Sequence, residues 1–155
     1  MERKTKINAE EGRQDLFITR EFDLPVDLLF KAHVEAEFLE QWMGTKVIKL
    51  ESRKHGGYEF ETSDGKGNVL IKMNGVFHDF IPNKKIVRTF QMAHGDFDAQ
   101  LEFMEFEPLT EDTSKLTIHM IFKSVEHRAA QLKLPFSYGI NMAHDALEKI
   151  ANKLK

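Results

Sequence analysis

Cysteine is absent from this 155-residue sequence, which excludes disulfide bonds and thiolate metal sites. Long hydrophobic runs are missing too, since no uninterrupted apolar stretch approaches the roughly 20 residues that span a bilayer. The net charge of −3 gives the chain no general attraction to nucleic acid or to an anionic membrane. Residues 1–14 are polar and lack the apolar stretch of a secretory signal. We therefore expect a cytoplasmic protein with no nucleic-acid or membrane partner.

Tryptophan and tyrosine are scarce, whereas phenylalanine and methionine are abundant: the chain has 13 Phe and 7 Met but one Trp and two Tyr. Aromatic rings and flexible thioethers make an adaptable apolar interior. An aromatic-rich core and a ligand cavity are both compatible with this composition. The length and the hydrophobic fraction of 41% predict one folded domain.

The apolar pattern changes its period along the chain. Leu16–Phe22 alternates as a strand, and Pro25 then opens a helical pattern. A second short helix is predicted from Glu35 to Trp42, with Gly44 at its end. The next 80 or so residues read as strands joined by short turns, which predicts an antiparallel meander. The predicted strands are 47–53, 58–62, 69–81, 85–92, 97–106 and 115–122.

The last segment has the strongest helical periodicity. Apolar residues recur at spacings of three and four from Phe136 to Leu154, and the sheet is the apolar surface left to receive them. The sequence predicts an α+β fold: a curved antiparallel sheet of six to seven strands, two short helices after strand 1, and a long C-terminal helix across the concave face. We expect a polar arm over residues 1–14 and one domain over residues 15–155. The helix residues expected to contact the sheet are Ile140, Leu147, Ile150 and Leu154.

Four motifs occur in the order in which one protein family carries them. The motifs are Ile18-x-Arg20-x-Phe22-x-x-Pro25, Arg53-x-x-Gly56-Gly57-Tyr58-x-Phe60, Gly75-x-Phe77-x-x-Phe80-x-Pro82 and Leu147-x-x-Ile150-Ala151-x-x-Leu154. In this order they resemble the homologues of the activator of the ninety-kilodalton heat-shock protein ATPase, in the START-like (SRPBCC) superfamily with the helix-grip fold.

The resemblance implies three classes of function. The leading one is a non-catalytic binding module that holds a small hydrophobic molecule between the sheet and the C-terminal helix. The second is a co-chaperone-like domain that binds a protein partner and stimulates a heat-shock ATPase. The third is an enzyme of the polyketide cyclase or hydrolase kind. A monomer and a homodimer are both compatible with each class.

The chain departs from the family pattern at two places. Family members often carry two tryptophans where this chain has Trp42-Met43, and Gly followed by Trp or Met where it has Met142-Ala143. The small side chain of Ala143 removes bulk from the helix face that meets the sheet, and so leaves room for a cavity.

Catalytic and metal-binding patterns are missing. None of the seven histidines has the spacing of a metal-binding helix motif, and His33 with Glu37 is interpreted as a solvent-exposed helix pair. Strand alternation places His119 on the outer face. No nucleophile elbow occurs, and Gly65-Lys66-Gly67 is typical of a hairpin turn rather than a phosphate loop. The sequence therefore predicts no catalytic residue, no metal site and no cofactor.

One inward-facing arginine is predicted. If Phe90 and Met92 face inward, Arg88 does too, and pairing across the Ala93–Asp96 loop sets it near Leu101. Such an arginine anchors a ligand carboxylate or phosphate, or else extends from a strand end to solvent. Both interpretations stay open.

The next strand contains an apparent change of face. Leu101 and Phe103 are predicted to face inward, and so are Met104 and Phe106. A β-bulge after Phe103 would reconcile the two pairs and leave Glu105 exposed.

The predicted ligand-binding face is a Phe/Met wall with two gaps. Gly75 in mid-strand and Ala143 on the helix both leave space, and Trp42 closes the other end. The predicted ligand-binding residues are Trp42, Met73, Phe77, Arg88, Phe90, Met92, Leu101, Phe103, Met120, Phe122, Phe136, Tyr138, Met142 and Ala143.

Overall fold

A computed structural model describes residues 5–93, 98–133 and 136–154, with the side chain of Phe136 left undescribed. This part of the chain forms eight strands and four helices. The strands are β1 (Lys6–Asn8), β2 (Asp15–Phe22), β3 (Lys46–Leu50), β4 (Gly57–Ser63), β5 (Val69–Ile81), β6 (Lys85–Met92), β7 (Gln100–Pro108) and β8 (Ser114–Ile121). The helices are α1 (Val26–Val34), α2 (Ala36–Met43), α3 (Val125–Leu132) and α4 (Phe136–Asn152).

All eight strands belong to one antiparallel sheet in the order β1-β2-β8-β7-β6-β5-β4-β3. Consecutive strands from β3 to β8 pair as neighbours, and β2 returns to pair with β8 from Asp15↔Ile121 to Phe22↔Ser114. Since β3 is an edge strand far from β2, α1 and α2 carry the chain across the sheet between them. The predicted α+β helix-grip fold is confirmed.

The strand count is larger than predicted because of β1. Within the segment predicted as a polar arm, Lys6 and Asn8 pair with Thr19 and Phe17 of β2. Three residues with one half-buried apolar side chain, Ile7, are too few to show a period in the sequence.

Turn residues set the strand bounds that the sequence predicts best. β5 and β6 begin and end at the predicted residues, and the Pro82-Asn83 turn separates them, with Asn83 in the left-handed region at φ 64°. Gly44 ends α2 with φ 64°, as predicted. The predicted start of the next strand at Phe97 lies outside the described residues.

Helix α1 buries a histidine that the sequence analysis placed on the surface. Leu29, Phe30, Ala32 and His33 are the buried residues of this helix. His33 Nδ1 lies 2.9 Å from the Leu29 carbonyl oxygen, and burial lowers the pKa of this histidine to about 4. The predicted solvent-exposed pair with Glu37 is therefore wrong, because His33 lies on the core-facing side of α1.

Helix α3 is absent from the sequence prediction because its buried side chains are polar. Ser124 caps its start by accepting from the His127 amide at 3.0 Å. Arg128, one of its two buried residues, donates to the carbonyl oxygens of Asp15 at 3.0 Å and Glu10 at 2.6 Å. The helix therefore joins the end of β8 to the start of β2.

The long helix α4 is confirmed and packs tightly in its C-terminal half. Leu147 and Ala151 are both 0% exposed, and Ile140 and Ile150 are half-buried. The predicted contact of Leu154 with the sheet is wrong, because the helix ends at Asn152 and Leu154 is exposed. Among the described residues, no helix is long and apolar enough to cross a membrane.

Candidate functional site

The concave face of the sheet carries most of the predicted phenylalanines and methionines. Strand register places Phe77, Arg88 and Glu102 side by side across β5, β6 and β7, with Met120 next on β8. Since alternate residues share a face, Met73, Phe90, Met92 and Phe122 lie on this side as well. Phe77, Phe122, Met120 and Met73 are buried, whereas Phe90 and Met92 are half-buried.

Leu101 and Phe103 lie on the opposite, convex face, which corrects the prediction. β7 pairs with β6 without a register shift from Lys85↔Glu105 to Phe90↔Gln100, so the predicted bulge is wrong. The buried residues of β7 are Gln100, Glu102, Met104 and Phe106.

On the convex face, Phe103 packs against other aromatic rings. Its ring lies 6.1 Å from the His119 ring, which stacks on Phe17 at 4.1 Å. The predicted outward direction of His119 is confirmed. Glu105 is exposed as predicted, through regular alternation along β7 rather than a bulge.

Arg88 faces inward as predicted, but its partner is Glu102 rather than Leu101. Arg88 Nε donates to Glu102 Oε1 at 2.8 Å, and the Glu102 side chain is 3% exposed. The guanidinium also lies 5.2 Å from the centre of the Tyr58 ring. Arg88 is therefore part of a buried ion pair in mid-strand, and the strand-end interpretation is wrong.

Two glutamines extend this ion pair into a polar cluster, which we define as Arg88, Glu102, Gln100 and Gln131. Gln100 Nε2 donates to Glu102 Oε2 at 2.9 Å, and Gln131 Nε2 donates to Gln100 Oε1 at 3.4 Å. The sequence analysis missed Glu102, Gln100 and Gln131. No periodic signal marked Glu102 as buried, because the inward positions of β7 mix the polar Gln100 and Glu102 with the apolar Met104 and Phe106.

Gly75 does not open a gap in the concave face, because Tyr58 fills the space over it. A Cβ atom at Gly75 would collide with the Tyr58 ring and the Thr89 carbonyl oxygen. The Tyr58 hydroxyl donates to that carbonyl oxygen at 2.5 Å, and burial raises its pKa above the usual value. The predicted gap at Gly75 is wrong.

The helix side of the predicted site is only partly as expected. Ala143 is half-buried, whereas Tyr138 and Met142 are 69% and 54% exposed. These two point away from the sheet because the buried stripe of α4 runs through His144, Leu147 and Ala151. The side chain of Phe136 lies outside the described residues.

Trp42 has a structural partner on α1. Its indole Nε1 donates to the Ala32 carbonyl oxygen at 2.8 Å, and its ring packs edge-on against His33 at 5.4 Å. This half-buried tryptophan therefore fastens α2 to α1, and its predicted place in the ligand-binding face stays a prediction.

A second buried polar group ties α4 to the N-terminal strands. Arg20 Nη2 lies 2.8 Å from Asp145 Oδ1 and 3.2 Å from Glu148 Oε2, and Arg20 Nη1 donates to Thr5 Oγ1 at 3.3 Å. Thr5 Oγ1 is 2.7 Å from His144 Nδ1, and burial lowers the pKa of His144 to about 3. These contacts engage both terminal nitrogens of Arg20, whereas its buried Nε has no partner among the described residues.

A groove of about 550 Å³ lies on the other side of the sheet, between β3 and β6. Its lining side chains, such as Lys72 and Asn74, alternate with the concave-facing ones. The small or aliphatic residues Ile48, Val76, Ala93 and Ala99 line it together with charged side chains. The charged lining residues are Lys49, Glu59, Glu61 and Lys72. Within the described ranges, no three His, Asp or Glu side chains lie close enough to hold a metal ion.

Solved structures share this fold. A protein from Mycobacterium smegmatis has a TM-score of 0.83 at 15% identity, covering 95% of this chain and 96% of that chain. A protein from Rhodobacter sphaeroides has a TM-score of 0.82 at 16% identity, with 97% and 100% covered. A protein from Arthrobacter aurescens has a TM-score of 0.83 at 16% identity, with 96% and 91% covered. At these identities the likeness shows the fold alone.

A family model shows which family the chain belongs to, which the individual solved structures do not. No curated protein sequence matches the chain. The model described as "Activator of Hsp90 ATPase homolog 1-like protein" matches residues 23–152, which span most of the chain, including the second and third motifs whole and the fourth up to Ala151. The resemblance is confirmed, and the chain belongs to the family of Activator of Hsp90 ATPase homolog 1-like proteins.

Proposed function

We propose that the protein binds a small, largely apolar molecule in a cleft between the concave face of the sheet and the N-terminal half of α4. The observation that carries this proposal is a contrast in burial along α4. Leu147 and Ala151 in the C-terminal half are fully buried, whereas Ile140 and Ala143 on the same side are half-buried. A helix that packs closely at one end only leaves space at the other.

Two residues on the concave face of the sheet are also only half-buried. Phe77 is buried, and Phe90 and Met92 towards the end of β6 are half-buried. Phe90 pairs with Gln100, whose side chain accepts a hydrogen bond from Gln131 of α3. Helix α4 begins four residues after the end of α3, which supports placing the half-buried residues of the sheet and of the helix at the same end of the molecule.

The chemistry of this cleft suits a non-catalytic binding role. Phe90, Met92 and Ile140 present aromatic, thioether and aliphatic surface, and methionine adapts its shape to irregular apolar ligands. The cluster of Arg88 and Glu102 supplies polar groups at one place in this apolar wall. The convex groove is lined by charges of both signs, which favours the concave cleft for an apolar molecule.

The neutral fluorescent probe N-phenyl-1-naphthylamine tests this proposal. Wild-type protein purified without detergent should bind it saturably, with a blue-shifted emission. Ala143→Trp should fill the cleft and weaken binding by about tenfold or more, because a well-placed apolar contact is worth about 1–3 kcal/mol. Met142→Trp adds the same side chain at the neighbouring exposed position and should leave binding unchanged.

Circular dichroism spectra of both variants would verify that they keep the wild-type fold. Ala143→Leu is the milder alternative if the tryptophan variant fails to fold. Absence of saturable binding to wild type would contradict the proposal, and so would equal binding by the folded Ala143→Trp and Met142→Trp variants. Native mass spectrometry of the same preparation would identify any molecule that co-purifies.

A further inference from the structure

The polar cluster in the proposed cleft contains one positive and one negative charge. Arg88 and Glu102 are direct cross-strand partners on β6 and β7, and their Nε–Oε1 distance is 2.8 Å. The second carboxylate oxygen of Glu102 accepts from Gln100 Nε2 at 2.9 Å. Both oxygens of Glu102 are therefore occupied, and the charge of Arg88 is compensated from within the protein.

Arg88 nevertheless keeps unused hydrogen-bond donors. A guanidinium has five N–H groups, of which Nε–H is committed to Glu102. Among the described residues, Nη1 and Nη2 have no hydrogen-bond partner. The Arg88 side chain is 18% exposed, and its guanidinium lies 6.0 Å from the centre of the half-buried Phe90 ring. These donors adjoin the apolar wall of the cleft.

The compensated charge decides which acceptor suits these donors. A ligand carboxylate would be attracted by Arg88 but repelled by the adjacent Glu102 carboxylate, and it would lose its hydration on entry. A carbonyl oxygen accepts the same N–H bonds with a smaller loss of hydration and without that repulsion. The net neutral cluster thus favours an uncharged acceptor over an anion.

We infer that the ligand presents an uncharged hydrogen-bond acceptor, such as a ketone or ester carbonyl oxygen, to Arg88, and that Glu102 is the specificity residue that disfavours carboxylates. The inference rests on the proposed function and specifies the ligand class of the same cleft. An aromatic or alicyclic molecule with one carbonyl group at its edge has the required chemistry.

Equilibrium dialysis with three naphthalene probes tests this inference. 2-Acetonaphthone and 2-naphthoate have nearly the same shape and differ in charge, and naphthalene lacks the polar group. Wild type should bind 2-acetonaphthone at least about tenfold more tightly than 2-naphthoate and than naphthalene, since a hydrogen bond to a charged group is worth tenfold or more.

Glu102→Gln removes the repelling charge with little change of shape. It should reduce the preference for 2-acetonaphthone over 2-naphthoate by about tenfold or more, because Arg88 is then uncompensated. Glu105→Gln is the matched control: the same substitution on the same strand, at an exposed position of the opposite face. The preference of Glu105→Gln for 2-acetonaphthone over 2-naphthoate should equal that of wild type.

A double variant covers the case in which Glu102→Gln does not fold. Arg88→Met with Glu102→Leu replaces the ion pair by apolar side chains, an exchange that buried ion pairs tolerate. It should lose the extra affinity for 2-acetonaphthone, so that this probe and naphthalene bind to it with about equal affinity.

The outcomes separate the two proposals. Tighter binding of 2-naphthoate than of 2-acetonaphthone to wild type would overturn the inference and leave the proposed function standing. An unchanged preference in folded Glu102→Gln, or an unchanged ketone affinity in the double variant, would also overturn the inference alone. Failure of all three probes to bind wild type would contradict the proposed function and the inference with it.

Discussion

Two arginines on the concave face differ in how their charge is used. Arg20 on β2 is bonded to Thr5, Asp145 and Glu148, and its side chain is 4% exposed. Arg88 on β6 has one carboxylate partner, and its side chain is 18% exposed. Arg20 holds the N-terminal strands to α4, where the helix packs closely. Arg88 keeps unpaired donors beside the proposed cleft, and this difference favours the proposed cleft as a ligand site.

Removal of Arg88 should have the largest effect on stability. Arg88→Met leaves the Glu102 carboxylate, which is 3% exposed, without its charge partner. We expect a loss of about 3–5 kcal/mol in the free energy of unfolding, measured by urea denaturation. The double variant Arg88→Met/Glu102→Leu should recover to within about 1 kcal/mol of wild type, because no buried charge remains. Equal stability of the single and double variants would contradict this account of the pair.

Removal of Arg20 should cost less, although Arg20 has more partners. In Arg20→Met, Asp145 is already 68% exposed and is readily hydrated once its partner is gone. We expect a loss of about 2–3 kcal/mol, from hydrogen bonds to a charged group. Lys31→Met, which removes the exposed ion pair with Glu35, should change stability by less than about 0.5 kcal/mol. A larger loss of unfolding free energy in Arg20→Met than in Arg88→Met would contradict the expected order of the two arginines.

Acid should destabilise the protein partly through two buried histidines. Burial lowers the pKa of His33 to about 4 and of His144, beside Arg20, to about 3, from an ordinary value of 6.5. Below pH 6.5 the unfolded chain binds protons that the folded protein excludes. The contribution of the two neutral histidines to the free energy of unfolding is therefore complete above pH 6.5. It falls as the pH decreases towards the folded-state pKa values of about 4 and about 3, by about 1.4 kcal/mol per pH unit for each histidine.

Denaturation at several pH values between 6.5 and 4.5 would measure this slope. His144→Gln should lower the slope by about 1.4 kcal/mol per pH unit relative to wild type. His78→Gln is the control, because His78 is exposed on β5. An identical slope in wild type and in folded His144→Gln would contradict the assignment of His144 as a neutral buried group.

The sequence predicts the fold well where turn residues and apolar alternation agree. β5 and β6 have their predicted bounds because Pro82-Asn83 interrupts two alternating strands. The helix α4 has a strong apolar stripe through Leu147 and Ala151. These signals are local, so they can be read without knowledge of which strands pair.

The candidate site was harder to predict because its key contacts join distant residues. β7 turns Gln100 and Glu102 inward and Leu101 and Phe103 outward, against the usual preference of polar side chains for solvent. The inward glutamate is stable because Arg88 meets it from the neighbouring strand. Helix α3 was missed for the same reason, since Arg128 and Gln131 are its buried residues. Polar residues that satisfy one another across the fold leave no periodic signal.

Mapping of 2-acetonaphthone on the wild-type protein by amide chemical-shift perturbation tests the central claim most directly. The account predicts that the largest shifts cluster at Phe90, Met92, Ile140 and Ala143, with Arg88 and Glu102 beside them. Saturable shifts confined to Asn74 and Gln91 on the convex groove, or no saturable shifts, would contradict it.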